Sequence, residues 1–149
     1  MGQHITEKTP MFYGDVDSST ALEKGDLVFL DTDDIKPAAV FTWTTDEATT
    51  RVNYVAKHIG VSGTRHAANA GATNNHLVHA DGLFFFDAEA ATYEVGDRVG
   101  PAKDTGNALL TTKLKKVTAD NQAVGYVIEK SGANATTIKV RIKQRLVVL

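Results

Sequence analysis

Cysteine is absent from the 149-residue chain, which excludes disulfides, thiolate metal sites and a cysteine nucleophile. A dominant charge is missing too. The 16 basic and 18 acidic residues leave a formal charge of -2, so no global field draws nucleic acid or an anionic membrane. No stretch approaches the ~20 apolar residues that span a bilayer, and residues 1–10 lack the continuous apolar run of a secretory signal. A soluble, unprocessed protein made in the cytoplasm, with neither nucleic acid nor membrane as partner, is the expectation.

What is present is a chain with 42% hydrophobic residues, enough for one cored domain and too short for two comfortable ones. Residues 1–24 carry only scattered apolar positions among Thr, Asp, Ser and Lys, and read as an extended N-terminal arm that cannot offset its own ordering entropy. Residues 25–149 then form a single β-rich domain. The run Asp26-Leu27-Val28-Phe29-Leu30 between turn residues suits a buried strand, and Pro37 keeps the next stretch irregular or at an edge.

One helix is expected, over about 45–59. Thr44 and Glu47 make a capping-box pattern, Ala48, Val52, Val55, Ala56 and Ile59 share one face, and Gly60 can stop it. The small, polar residues 62–75 should form a long exposed loop. Asp81-Gly82, between two apolar runs, is a hairpin or bulge signal.

Short β candidates follow at 97–99, 108–117, 123–129 and 136–146, separated by turn clusters at Gly100-Pro101, 104–107 and 131–134. This spacing favours a mainly β fold, a small barrel or sandwich, over a parallel α/β sheet. A faint echo runs through the chain: Gly25-Asp26-Leu27-Val28 returns as Gly96-Asp97-Arg98-Val99, and His58-Ile59-Gly60-Val61 as Ala123-Val124-Gly125-Tyr126. It reads as recurring turn-into-strand chemistry, glycine turning the backbone and Asp capping it, rather than as a duplication.

Catalytic patterns are thin. His66, His76 and His79 could support a metal-dependent hydrolase, but their spacing is not that of a helical zinc motif, and an i, i+3 pair on a strand points to opposite faces. Solvated loop histidines are the plainer reading. Asp31, Asp33 and Asp34 lack the glycine and glutamate that complete a calcium loop, and no serine lies in a nucleophile elbow. A stand-alone ligand-binding β-barrel is the other alternative, with Trp43 and the tyrosines as platforms. No cofactor is called for.

The surface signal lies at the carboxyl end, where Ile138, Val140 and Ile142 alternate with Lys139, Arg141 and Lys143 before Leu146, Val147, Val148 and Leu149. One face of that strand is buried and the other cationic. The cations suit either solvation or docking onto an acidic protein surface. Apolar Leu146 and Val148 should close the barrel or enter a subunit interface. The run Leu83 to Phe86 needs cover on both faces, and burial within its own domain is the preferred reading.

The strings Asp81-Gly82-Leu83-Phe84-Phe85-Phe86-Asp87, Tyr93-Glu94-Val95-Gly96-Asp97-Arg98-Val99-Gly100-Pro101 and Ala123-Val124-Gly125-Tyr126-Val127, with the closing basic strand, resemble head decoration (cement) proteins of tailed bacteriophages. The resemblance covers the last half of the chain most specifically. It implies a non-enzymatic, β-rich protein with a leading arm that binds the outer capsid surface of the virion, commonly as a homotrimer, and partners the major capsid protein. On that reading Met11, Phe12 and Tyr13 are anchors on a neighbour, because Met and aromatics are enriched in interface cores.

Overall fold

Strands with an apolar face need that face covered, and in this chain ten strands close into two barrels. The computed structural model describes residues 11–146. The first barrel comprises β1 (Met11–Val16), β2 (Leu27–Asp31), β3 (Asp34–Pro37), β4 (His58–Ser62) and β5 (Thr73–His79). The second comprises β6 (Asp81–Ala91), β7 (Arg98–Lys103), β8 (Leu109–Lys116), β9 (Gly125–Val127) and β10 (Ala135–Lys143). The expected mainly β architecture with one helix is what the chain adopts.

The two barrels are copies of one design. Each strand of the first has its counterpart five places on: β1 pairs parallel with β3 as β6 does with β8, and the other four pairings in each barrel are antiparallel and correspond one to one. Register agrees to the residue. Val28 faces Gly60 as Val99 faces Gly125, and Val61 faces His79 as Tyr126 faces Arg141. The turn before β2 also recurs before β7: the carboxylate of Asp26 accepts from Glu23 N–H at 2.8 Å, that of Asp97 from Glu94 N–H at 2.8 Å, and Gly25 and Gly96 adopt φ of 98° and 93°. The echo in the sequence is therefore a repeated barrel, not merely repeated turn chemistry. Two Gly-Asp strings were too short to reveal it, because most inward positions keep only their apolar character.

Those inward positions are Val16, Leu22, Val28, Ile35, Ile59 and Val78 in the first barrel. Their counterparts by register are Ala88, Tyr93, Val99, Leu114, Val124 and Val140, all buried. Burying each aliphatic side chain of this size contributes about 1.5–3 kcal/mol. Leu27, Phe29 and Val61 of the first barrel join Tyr54 and Val55 of the helix in the same apolar cluster as the second barrel's core. Packing thus runs from one barrel into the other.

From Met11 onward the segment expected as an extended arm over residues 1–24 is part of the first barrel and not a separate arm. β1 pairs with β5 across five positions, and Val16 and Leu22 are core residues. The scattered apolar residues suffice because partner strands supply the other half of each contact. Residues 1–10 lie outside the described residues.

Helix α1 (Glu47–Val55) is shorter than expected and starts at a different cap. Asp46, not Thr44, accepts from Thr49 N–H, at 2.7 Å. Its buried residues are Thr50, Arg51, Tyr54 and Val55, while Ala48 and Ala56 are exposed. The expected face is turned because Arg51 and Tyr54, long side chains with polar ends, find partners inside. Ile59 and Gly60 belong to β4. The 62–75 loop is mostly exposed as expected, but His66 bridges to Leu22 and is buried. Asp81-Gly82 does not turn a hairpin: the chain passes from β5 through Ala80 straight into β6, whose first residues pair with Ile142 and Lys143. Gly100-Pro101 lies within β7 rather than in a turn.

Candidate interaction surface

Strand alternation that points Phe12 and Val16 inward turns Met11 and Tyr13 outward, and the same alternation in β6 turns Leu83 and Phe85 outward. Register makes the pairs equivalent, since Met11 and Tyr13 face His79 and Leu77, while Leu83 and Phe85 face Arg141 and Lys139. Exposure is 47% and 55% for the first pair and 57% and 73% for the second. Each barrel therefore shows solvent a matching apolar pair. Phe12 instead packs against the first barrel's core.

The outer face of β10 is cationic. Lys139 lies over the Phe85 ring at 5.7 Å and pairs with Glu129 at 3.7 Å. Arg141 donates from Nε and Nη2 to the two oxygens of Asp81, each at 3.0 Å. Lys143 is exposed at the rim of a recess of about 230 Å³ that Arg98, Asp120, Tyr126 and Arg145 also line. Within it Asp120 accepts from Arg145 at 2.9 and 3.4 Å and lies 3.8 Å from Arg98. The Arg145 guanidinium holds the Asp120 carboxyl below its usual range, with Arg98 adding to the effect. Leu146 folds back, its N–H donating to the His58 carbonyl at 3.0 Å and its side chain packing on the first barrel's core. Val148 lies outside the described residues.

The histidines are not solvated loop residues. His66 and His76 are buried with rings 6.4 Å apart. Both nitrogens of His66 face carbonyl oxygens, those of Thr20 and Gly71, at 2.7 Å each. Carbonyls only accept, so both bonds form only when the ring carries two protons. Ser62 gives its hydroxyl proton to the Thr64 carbonyl, so His76 Nε2 donates to Ser62 Oγ at 2.8 Å. Burial and the His66 ring together lower the His76 pKa. His79 points to the other side of β5, near Phe84. Among the described residues no group of three His, Cys, Asp or Glu is placed to hold a metal ion.

No protein-family model and no curated protein sequence matches the chain. Among solved structures it is similar to the head fiber gp8.5 N base of bacteriophage phi29, with a TM-score of 0.48 and 12% identity over 94% of this chain and 100% of that one. That neighbour is a phage head protein. The likeness at this score is loose.

Sequence reasoning missed Leu83, Phe85, Tyr126, Arg98 and Arg145 as surface features. Phe85 was expected to be buried in its own domain, yet among the described residues it is the most exposed large hydrophobic one. The signal was present as a second echo, Met11-Phe12-Tyr13 against Leu83-Phe84-Phe85, where the middle residue packs inward in both. The platforms named for a ligand-binding barrel are dispersed: Tyr54 and Tyr93 are core residues, and Trp43 lies beneath Lys103 Nζ at 5.7 Å.

Proposed function

We propose that this chain is a non-enzymatic structural protein of a phage virion that binds the outer surface of the head and stabilises the expanded capsid by bridging neighbouring capsid subunits. The observation that carries the reading is the twofold presentation of one apolar pair, Met11 with Tyr13 and Leu83 with Phe85, on two barrels of one design. A capsid surface is itself a repeat, and a body with repeated docking faces can engage two adjacent copies of one protein. The sequence resemblance to decoration proteins supports the same partner, the major capsid protein.

Joining two contacts in one packed body makes the second contact intramolecular, so modest individual affinities multiply. A homotrimer, as the resemblance implies, would triple the number of such faces. Preference for the expanded head requires that the spacing between the two pairs fit expanded neighbours better than unexpanded ones, because a ligand shifts an equilibrium only through differential affinity.

The test is co-sedimentation of the purified full chain with heads assembled from the same genome without it, before and after expansion, together with light scattering of the free protein. Saturable binding to expanded heads and a raised temperature of head disruption are expected. A chain that stays in the supernatant with both kinds of head sinks the proposal.

A further inference from the structure

We propose that the recess between Arg98, Lys143 and Arg145, with the apolar strip of Tyr126, Leu83 and Phe85 beside it, docks an acidic segment of a partner protein. The partner's carboxylates enter the recess and its apolar side chains lie on the strip. This inference rests on the head-binding reading and gives the chemistry of one of its faces.

Charge complementarity is the argument. The recess gathers three cations around one carboxylate on a chain whose formal charge is -2. Asp120 is occupied by the fork of Arg145. Arg98 reaches it only at 3.8 Å and is 52% exposed, and Lys143 makes no ion pair among the described residues. The donors of Arg98 and Lys143 are thus unspent, and a carboxylate entering between them gains charge-assisted hydrogen bonds.

The strip is continuous with the recess through the register. Tyr126 faces Arg141, which faces Leu83 on its other side, and Lys139 faces Phe85. An extended segment alternating acidic and apolar residues would match that order. A nucleic-acid backbone fits worse, because Asp81, Asp120 and Glu129 interrupt the cations along the same face and would repel consecutive phosphates.

The corresponding place in the first barrel carries different groups. Leu27 stands where the second has Arg98, and Val61 where it has Tyr126, and both are buried. The two barrels thus share the apolar pair and differ in the charge beside it, so the recess sets which barrel takes the acidic segment.

The full chain, labelled for backbone amide NMR, is titrated with a peptide alternating Glu and Leu, with its Lys and Leu counterpart, and with a short single-stranded DNA. Saturable shifts around Arg98, Tyr126 and Lys143 with the acidic peptide alone are expected. Affinity should fall at least tenfold in the double variant Arg98→Glu with Lys143→Glu, whose thermal unfolding stays at the parent value. Absence of saturable shifts, equal binding by the variant, or tighter binding of the DNA overturns the proposal. Head co-sedimentation separates the two readings: if parent and variant bind heads equally, the recess is wrong and the structural role stands. If the parent binds no heads, the structural role fails, and the peptide titration still decides the recess.

Discussion

Gly60 and Gly125 occupy the same position in the two barrels, and in both the next strand passes so close that no side chain fits. A Cβ on Gly60 would lie 2.1 Å from the carbonyl oxygen of His79, and one on Gly125 would lie 2.0 Å from that of Arg141. Gly60 also has φ of 142°, a region that L side chains rarely adopt. Backbone has to move to admit a methyl at either site. Gly60→Ala and Gly125→Ala should each cost more than about 3 kcal/mol, read as a fall in the urea midpoint, whereas Gly132→Ala, with open space around it, should change little. Comparable midpoints for all three would refute the close-approach argument.

Arg51 is a second sensitive point. It is buried, and donates to the Pro101 carbonyl at 2.8 Å, to Gln122 Oε1 at 3.0 Å and to Glu47. It joins α1 to the second barrel and to the turn that precedes β9. Truncation to Ala leaves the Pro101 and Gln122 oxygens without this donor, while Glu47 keeps Lys115 at 3.3 Å, and should destabilise by roughly 1–3 kcal/mol. Lys cannot reproduce the fork, so Arg51→Lys should recover less than half of the loss in chemical denaturation. Full recovery by Lys would show that charge alone matters.

His58 makes stability depend on pH. Tyr54 donates to the Val28 carbonyl at 3.3 Å, so His58 Nδ1 carries the proton shared with Tyr54 Oη at 2.9 Å. Nε2 is buried without a partner among the described residues. Burial first, then the Arg145 charge, lower the pKa to about 3. The unfolded chain takes up this proton near pH 6.5 and the folded chain does not. Stability is therefore whole above pH 6.5 and falls at about 1.4 kcal/mol per unit below it, to a total near 5 kcal/mol by pH 3. Denaturant midpoints measured from pH 7.5 to 4 should decline in the parent and decline less steeply in His58→Gln, where His76, its pKa also lowered by burial, still contributes. An equal slope in both would assign the acid sensitivity elsewhere.

The matched apolar pairs predict an interface loss that stability does not share. Tyr13→Lys and Phe85→Lys change exposed side chains and should move folding stability by under about 0.5 kcal/mol. Each should weaken head binding by roughly 1–2 kcal/mol. Together they should abolish bridging, leaving expanded heads no more heat-resistant than undecorated ones. Undiminished protection by the double variant would show that these faces are not the contacts.

Much of the fold was legible because apolar runs between turn residues mark buried strands, as in β2, and because burial of one face enforces period two, as with Ile138, Val140 and Ile142 in β10. The helix was legible in existence but not in face, because Arg51 counts as polar until Pro101 and Gln122 come to meet it. Residues 11–24 were misread because Val16 and Leu22 are isolated in sequence and gain their neighbours only through pairing with β5 and the bridge to His66. For the surface, Lys139, Arg141 and Lys143 were visible as a cationic stripe. Arg98, Tyr126 and Arg145 were not, since only the closed barrel brings β7, β9 and the segment after β10 together.

The chain enters the second barrel through Ala80 and comes back after Lys143. There Gln144 N–H donates to the Ala80 carbonyl at 2.6 Å, and Arg145 and Leu146 both donate to the His58 carbonyl at 3.0 Å. The two barrels are thus stitched by an outgoing segment and a returning one lying side by side. A load prising the barrels apart would meet both segments together, so these three hydrogen bonds would have to break side by side and not one after another.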